Sequence, residues 1–329
     1  MTASPLTELA PPAGVLGALT TGAVAVPGAL TAFRIDGPGA LDCMQGLLTN
    51  DLVGPGDSSL VYGALLTPKG MIVVDGWVVR LPGHLLFLAD SAGREPAKEI
   101  FRRSLPPRLA RVTDRSAETS ALWLLGPAWP DVLPRTGMGS LPAAGAAMTL
   151  DDGSVLAAGT AAAPFAAILA GDTAAVDRRR EALLAAGATP GDAAALAAAR
   201  ILRGWPALGR EIDDRTLPQE VRFDELGGVS YSKGCYTGQE TVARVHFRGH
   251  VNRILSGLVF PGTEPLRERS VSVDGREVGL VTSVLRTGDR LLALAKLRRE
   301  VTEGTRVSAG SRSGQVVGLP FGSDAVGGA

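Results

Sequence analysis

Cysteine is scarce: Cys43 and Cys235 are the only two among 329 residues. They lie far apart and form no Cys-x-x-Cys pair, which excludes a disulfide framework, a four-thiolate zinc site and a cluster held by this chain alone. Both thiols are therefore expected free and reduced, with no metal bound by the chain itself. Aromatic residues reach only 5%, few for a module that reads RNA by stacking. An excess of either charge is also missing. With 33 basic and 33 acidic residues, no overall field draws the chain to nucleic acid or to an anionic membrane. No Lys or Arg precedes an apolar run in the first 22 residues, unlike the start of a signal peptide, so the cytoplasm is the expected compartment. Nor is there an apolar run of about 18 residues, because the alanine-rich stretch 142–170 is broken by Asp151, Asp152, Gly153 and Pro164. No membrane span is expected.

What is present suits a folded chain of two or three domains, with 45% hydrophobic and 20% charged residues. Residues 1–20, with Pro5, Pro11 and Pro12, read as a flexible arm, since proline removes donors and blocks helix continuation. Residues 21–115 read as a first α/β unit. It has a helix carrying Leu41, Met44, Leu47 and Leu48, strands over 61–66, 71–79 and 85–89, a turn at Thr67-Pro68-Lys69-Gly70, and a helix from about Ser91 to Ser104. A second α+β unit covers 116–190. A return segment over 191–252 starts with a helix capped by Asp192 and stopped by Gly204 and Pro206. In the last unit, 253–329, short Val and Leu runs separated by Asp274-Gly275 and Gly288-Asp289 predict a small antiparallel barrel.

Residues 227–253 carry the densest chemistry. Cys235 sits between Lys233 and a Tyr-Thr-Gly turn, where a cation and turn amides favour thiolate over thiol. Gly234 and Gly238 flank it and let the backbone approach a ligand closely. A small buried cysteine is the competing reading. Farther on, Arg244, His246, Arg248 and His250 alternate with Val245, Phe247, Gly249 and Val251, as in a strand with one basic face. Such a face either lies along a polyanion or blunts a sheet edge.

Lys233-Gly234-Cys235-Tyr236-Thr237-Gly238-Gln239-Glu240, continued by Val242-Ala243-Arg244 and Phe247-Arg248-Gly249, resembles the signature of the YgfZ-type folate-binding proteins, relatives of the glycine-cleavage T-protein. Gln45-Gly46-Leu47-Leu48-Thr49-Asn50-Asp51, Pro68-Lys69-Gly70 and Leu217-Pro218-Gln219-Glu220 extend the resemblance over most of the chain. It implies an α+β, three-domain arrangement like that of the T-protein, with antiparallel and mixed sheets and a C-terminal barrel. It also implies a monomer that holds tetrahydrofolate or a derivative in a central channel and supports iron–sulfur client enzymes. Cys235 is then the essential residue, with Lys233 and Asp75 beside it in the chemistry. Asn50, Asp75, Gly228, Tyr236, Gln239, Glu240 and Arg244 are the expected folate contacts. Two positions depart from the T-protein pattern: Asp75 alone stands for a carboxylate pair, and Leu202 stands where relatives carry a glutamate. The alternative activity is a tetrahydrofolate-dependent aminomethyltransferase, which needs a carboxylate at the folate nitrogen.

Overall fold

Apolar alternation along residues 59–89 builds the first sheet. In the computed structural model, which describes residue 6 and residues 8–322, Gly70 takes φ +85° and folds Ser59–Leu66 back onto Ile72–Leu81. His84–Ala89, Thr31–Asp36 and Arg111–Asp114 complete five antiparallel strands. The period of two sends side chains to opposite faces. Val61, Leu65, Val74 and Val78 join Phe33, Phe87 and Phe101 beneath the helices Ala40–Gln45 and Arg94–Ser104. Leu60, Tyr62, Ala64 and Trp77 face the other way, into the central core.

A six-stranded sheet supplies the facing wall, with Leu125, Val155 and Ile168 in the same core. Its outer face, with Leu122, Leu124 and Leu169, packs against Val176 and Leu183 of the helix Thr173–Ala185. The helix Ala193–Leu202 begins where the Asp192 carboxylate accepts the Ala194 and Ala195 N–H groups. It sends Ala195 and Ala199 to the central core, and Ala198 and Ile201 to the last unit. There the strand Arg276–Thr287 pairs with both Ser270–Val273 and Arg290–Arg298, closing six strands into the expected barrel. Among the described residues no helix is long and apolar enough to cross a membrane.

Three readings are corrected. The expected arm is built into the fold: Glu8–Leu9 pair in parallel with Val284 and Leu285, Glu8 bonds Arg286, and Ala13–Thr21 form a helix whose Val15, Leu16 and Leu19 pack on the cores. Residues 1–5 and 7 of that arm lie outside the described residues. The strand Val24–Gly28, assigned to the first unit, pairs with Thr119–Leu125 of the second sheet. Finally, the basic and apolar alternation over 244–250 is not a strand, because Gln239–Arg248 form a helix. Gly238 at φ +81° admits the turn into it, Glu240 sits in its first turn and Arg248 in its last, as the helix dipole favours. Val242 is its buried position.

Candidate functional site

Three of the four segments that carry the resemblance come together. Thr49 is buried; its Oγ1 donates to the Gly228 carbonyl at 2.6 Å and accepts from the Ala64 N–H at 2.9 Å. Asn50 Nδ2 donates to the carbonyls of Tyr62 (2.8 Å) and Gly227 (2.7 Å), while its Oδ1 accepts from the Asp51 N–H (2.9 Å). Burial alone raises the Asp51 carboxyl. The N–H groups of Val53 and Gly54, the Gln45 amide and Lys233 outweigh it and hold Asp51 below the usual carboxylate range. Gly70 and Gly238 are in contact range: a Cβ on Gly238 would sit 2.6 Å from the Thr67 carbonyl, and one on Gly70 2.9 Å from Thr241. Only glycine lets these two turns meet.

Cys235 is exposed on the loop ahead of the helix Gln239–Arg248. On one side of it Lys233 Nζ donates to the carbonyls of Gln45 (2.5 Å), Leu48 (2.7 Å) and Asn50 (2.9 Å). An ammonium has three donors, so its hydrogen bonds go to the backbone of residues 45–50 rather than to the thiol. Burial pushes Lys233 down to about 8, against the pull of Asp51. On the other side the Thr237 N–H donates to the Gly46 carbonyl at 3.0 Å. Tyr236 is buried, 5.1 Å from the Lys233 ammonium, and burial raises its hydroxyl to about 12. Gln239 is half-buried, and Glu240 and Arg244 are exposed on the same helix. Cys43 is half-buried, and burial and Asp42 raise its thiol. Sequence reasoning placed Cys235 and Lys233 in one loop but missed what holds the loop, because carbonyl acceptors leave no trace in the residue types.

Asp75, half-buried on the strand Ile72–Leu81, is bonded to Tyr62, which sits in a cage of rings. Tyr62 packs on Trp77 (4.9 Å), Trp205 (4.5 Å) and Phe223 (5.1 Å), and Trp77 stacks on Trp205 at 14°. The Tyr62 hydroxyl donates to Asp75 Oδ2 at 2.8 Å. Gly228 joins the cage from the other side, its missing Cβ leaving room for Phe223. Burial raises the Asp75 carboxyl to about 6 from 3.8, with the Tyr62 hydrogen bond only partly opposing it. The folded chain thus binds this proton more tightly than the unfolded chain, and the Asp75 contribution to stability rises as pH falls from about 6 to about 4. Asp75→Asn, which keeps an acceptor for Tyr62, is expected to melt at or above the wild-type temperature at pH 7. The difference should shrink or reverse at pH 4.5. A variant less stable than wild type at pH 7 and closer to it at pH 4.5 would contradict the assignment.

Beside the cage is a cavity of about 580 Å³ whose lining includes Leu141, Phe165, Leu202, Arg203 and Phe321 but not Asp75. Phe165 forms the shared wall, 4.9 Å from Trp77.

The model of the GCVT N-terminal domain matches residues 27–146. The tRNA-modifying protein YgfZ of Aliivibrio fischeri strain MJ11 is 35% identical over 152 residues, 44% of this chain and 48% of that one, so the match spans about half of that relative. An aminomethyltransferase of Rubrobacter xylanophilus is 30% identical over 307 residues, 88% of this chain and 80% of that one. The chain belongs to the aminomethyltransferase family. The fold agrees: the glycine cleavage system aminomethyltransferase T from Bartonella henselae superposes with a TM-score of 0.78 over 95% of this chain and 91% of that one, at 19% identity. The YgfZ-type resemblance read from the Cys235 segment is borne out with it.

Within that family frame the residues present accommodate a folate unequally. Asn50 has both amide donors engaged, Asp75 is capped by Tyr62, and Leu202 brings no charge. The cavity beside them instead offers apolar walls for a ring system and the Arg203 cation for an acidic tail.

Proposed function

We propose that this chain is a folate-binding accessory protein for iron–sulfur enzymes and acts through the Cys235 thiol. The observation that carries the reading is the contrast between two sites. Cys235 is exposed on a loop tied at both ends to residues 45–50. Asp75, the group an aminomethyl transfer would use, is half-buried with its carboxylate held by the Tyr62 hydroxyl, and it is not among the described residues that line the cavity. A rigid loop presenting a thiol to solvent suits reaction with a macromolecular partner better than with a small ligand buried in the fold. Folate is held by Phe165, Leu202 and Arg203 rather than by Asp75 and Asn50. When bound, a reduced folate supplies a nitrogen that takes or gives one-carbon units. Gln239, Glu240 and Arg244, on the helix behind the thiol, belong in this reading to the partner face and not to the folate site. The working form is a cytoplasmic monomer.

The 30% identity to an aminomethyltransferase over 88% of the chain supports the second reading, a folate-dependent transferase. One pair of substitutions separates the two. In cells deprived of this chain, Cys235→Ala is expected to restore no iron–sulfur enzyme activity, and Asp75→Asn most of it. A transferase reverses the order, since losing a positioned acid–base group lowers the rate by roughly 10²–10⁴. Full rescue by Cys235→Ala overturns the accessory reading.

A further inference from the structure

Among the described residues Arg203 is the only charged one lining the cavity of about 580 Å³, a volume within the roughly 300–1,000 Å³ range of small-molecule sites. It is exposed at the end of the helix Ala193–Leu202, and its guanidinium has no hydrogen-bond or ion-pair partner among the described residues. Leucine, alanine, proline and phenylalanine side chains make up most of the rest, with the Thr20 and Thr160 hydroxyls as the polar exceptions. Among the described residues no carboxylate or amide side chain lines it.

This lining treats the two halves of a folate differently. The pterin presents a guanidine-like edge of N–H donors, which calls for a carboxylate or other strong acceptors. Facing Leu202 and alanines, each unsatisfied donor loses about 1–3 kcal/mol of solvation, so burying that edge gains area but no polar recognition. The p-aminobenzoylglutamate half is an aryl amide ending in carboxylates. Its ring suits Phe165, Leu141 and Leu202, and its carboxylate suits the unpaired fork of Arg203. We infer that the cavity recognises folates by their p-aminobenzoylglutamate half, through Arg203, and leaves the pterin unread. The inference rests on the folate reading above and narrows it to a site blind to the oxidation state of the pterin.

The test is calorimetric titration of the full chain with tetrahydrofolate, folic acid, p-aminobenzoylglutamate and pterin. The first three are expected to bind within about tenfold of one another and pterin not to bind. Arg203→Ala, a surface change that leaves the fold intact, should weaken all three by at least about tenfold, the loss of one charge-assisted hydrogen bond. Ala144→Trp, at the exposed rim of the cavity, should block them. Leu202→Gln, which adds an acceptor without pairing with Arg203, should strengthen tetrahydrofolate selectively. If tetrahydrofolate binds while p-aminobenzoylglutamate does not, or if it binds and Arg203→Ala changes nothing, the inference and the placing of folate at Arg203 are wrong, while folate binding by this chain stands. If p-aminobenzoylglutamate alone binds, the folate reading falls and an aryl carboxylate site remains. Silence from all four removes both.

Discussion

Glu211→Ala is expected to lower the stability of the chain by about 3–5 kcal/mol, the usual loss when one partner of a buried ion pair is removed. Glu211 has no exposed side-chain surface, and the Arg200 side chain is 12% exposed. The carboxylate accepts from Arg200 Nη1 (2.9 Å), the Ala207 N–H (3.0 Å) and Ser283 Oγ (2.6 Å). Arg200 also donates to the Trp205 carbonyl (2.8 Å) and to Ser283 Oγ (2.7 Å). Alanine would leave the guanidinium buried with its charge uncompensated. The double variant Arg200→Met, Glu211→Leu removes both charges and should recover most of the loss, because apolar replacements of a buried pair are often neutral. Urea melts of the two single variants and the double complete the cycle. A loss below about 1 kcal/mol for Glu211→Ala, the size of an exposed pair, would mean that the network is open to water. The network matters to the site because it fixes residues 200–211, which carry Leu202, Arg203 and Trp205, onto the barrel strand Arg276–Thr287.

Most elements could be read from the sequence where short-range periodicity decides them. Asp192 as a cap, the turn at 67–70 and the barrel hairpins at Asp274-Gly275 and Gly288-Asp289 all rest on local chemistry, and all stand. The stretch 244–250 misled because alternating basic and apolar residues over so short a window fit a strand and the end of an amphipathic helix equally. The αL glycine at 238 and the acidic first turn were the better signals. The arm failed for another reason: its prolines mark breaks between elements, and only the distant strand Arg276–Thr287 makes Glu8–Leu9 a strand.

The site divides in the same way. The segment 233–240 gave away the family from residue types alone. The ring cage around Tyr62, the partner of Asp75, draws Trp77, Trp205 and Phe223 from positions up to 161 apart in sequence, so a low aromatic content concealed a local concentration of rings. Leu202 was noticed as a missing carboxylate; that its neighbour Arg203 stands at the same cavity depends on how the helix Ala193–Leu202 ends against the second sheet.

Lys233→Ala is expected to free the Cys235 loop from the body of the protein. The substitution strands the carbonyls of Gln45, Leu48 and Asn50, and hydrogen bonds to a charged group contribute about 1.5–3 kcal/mol each. Burying the ammonium offsets part of this, as the fall of Lys233 to about 8 indicates, so the net loss should be close to one such bond. Lys233→Arg tells position from charge. A planar fork cannot aim three N–H groups into one converging cup of carbonyls as an ammonium does. If Lys233 acts by holding the loop, the arginine variant should behave like alanine: faster amide exchange over residues 45–51 and loss of cellular activity, with Cys235 still present. If Lys233 acts by its charge on the thiolate, arginine should retain the Cys235 alkylation rate and alanine should lose it. The pH dependence has a definite sign as well. Because the folded value of about 8 lies below the ordinary 10.5, the folded chain releases this proton first, and the burial penalty on the ammonium lifts as pH rises from about 8 to about 10.5. The neutral amine keeps two donors for three carbonyls, so global stability should hold or rise above pH 8 while amide exchange over residues 45–51, corrected for its intrinsic pH dependence, increases. Unchanged protection of that segment in Lys233→Ala would remove the latch from the account.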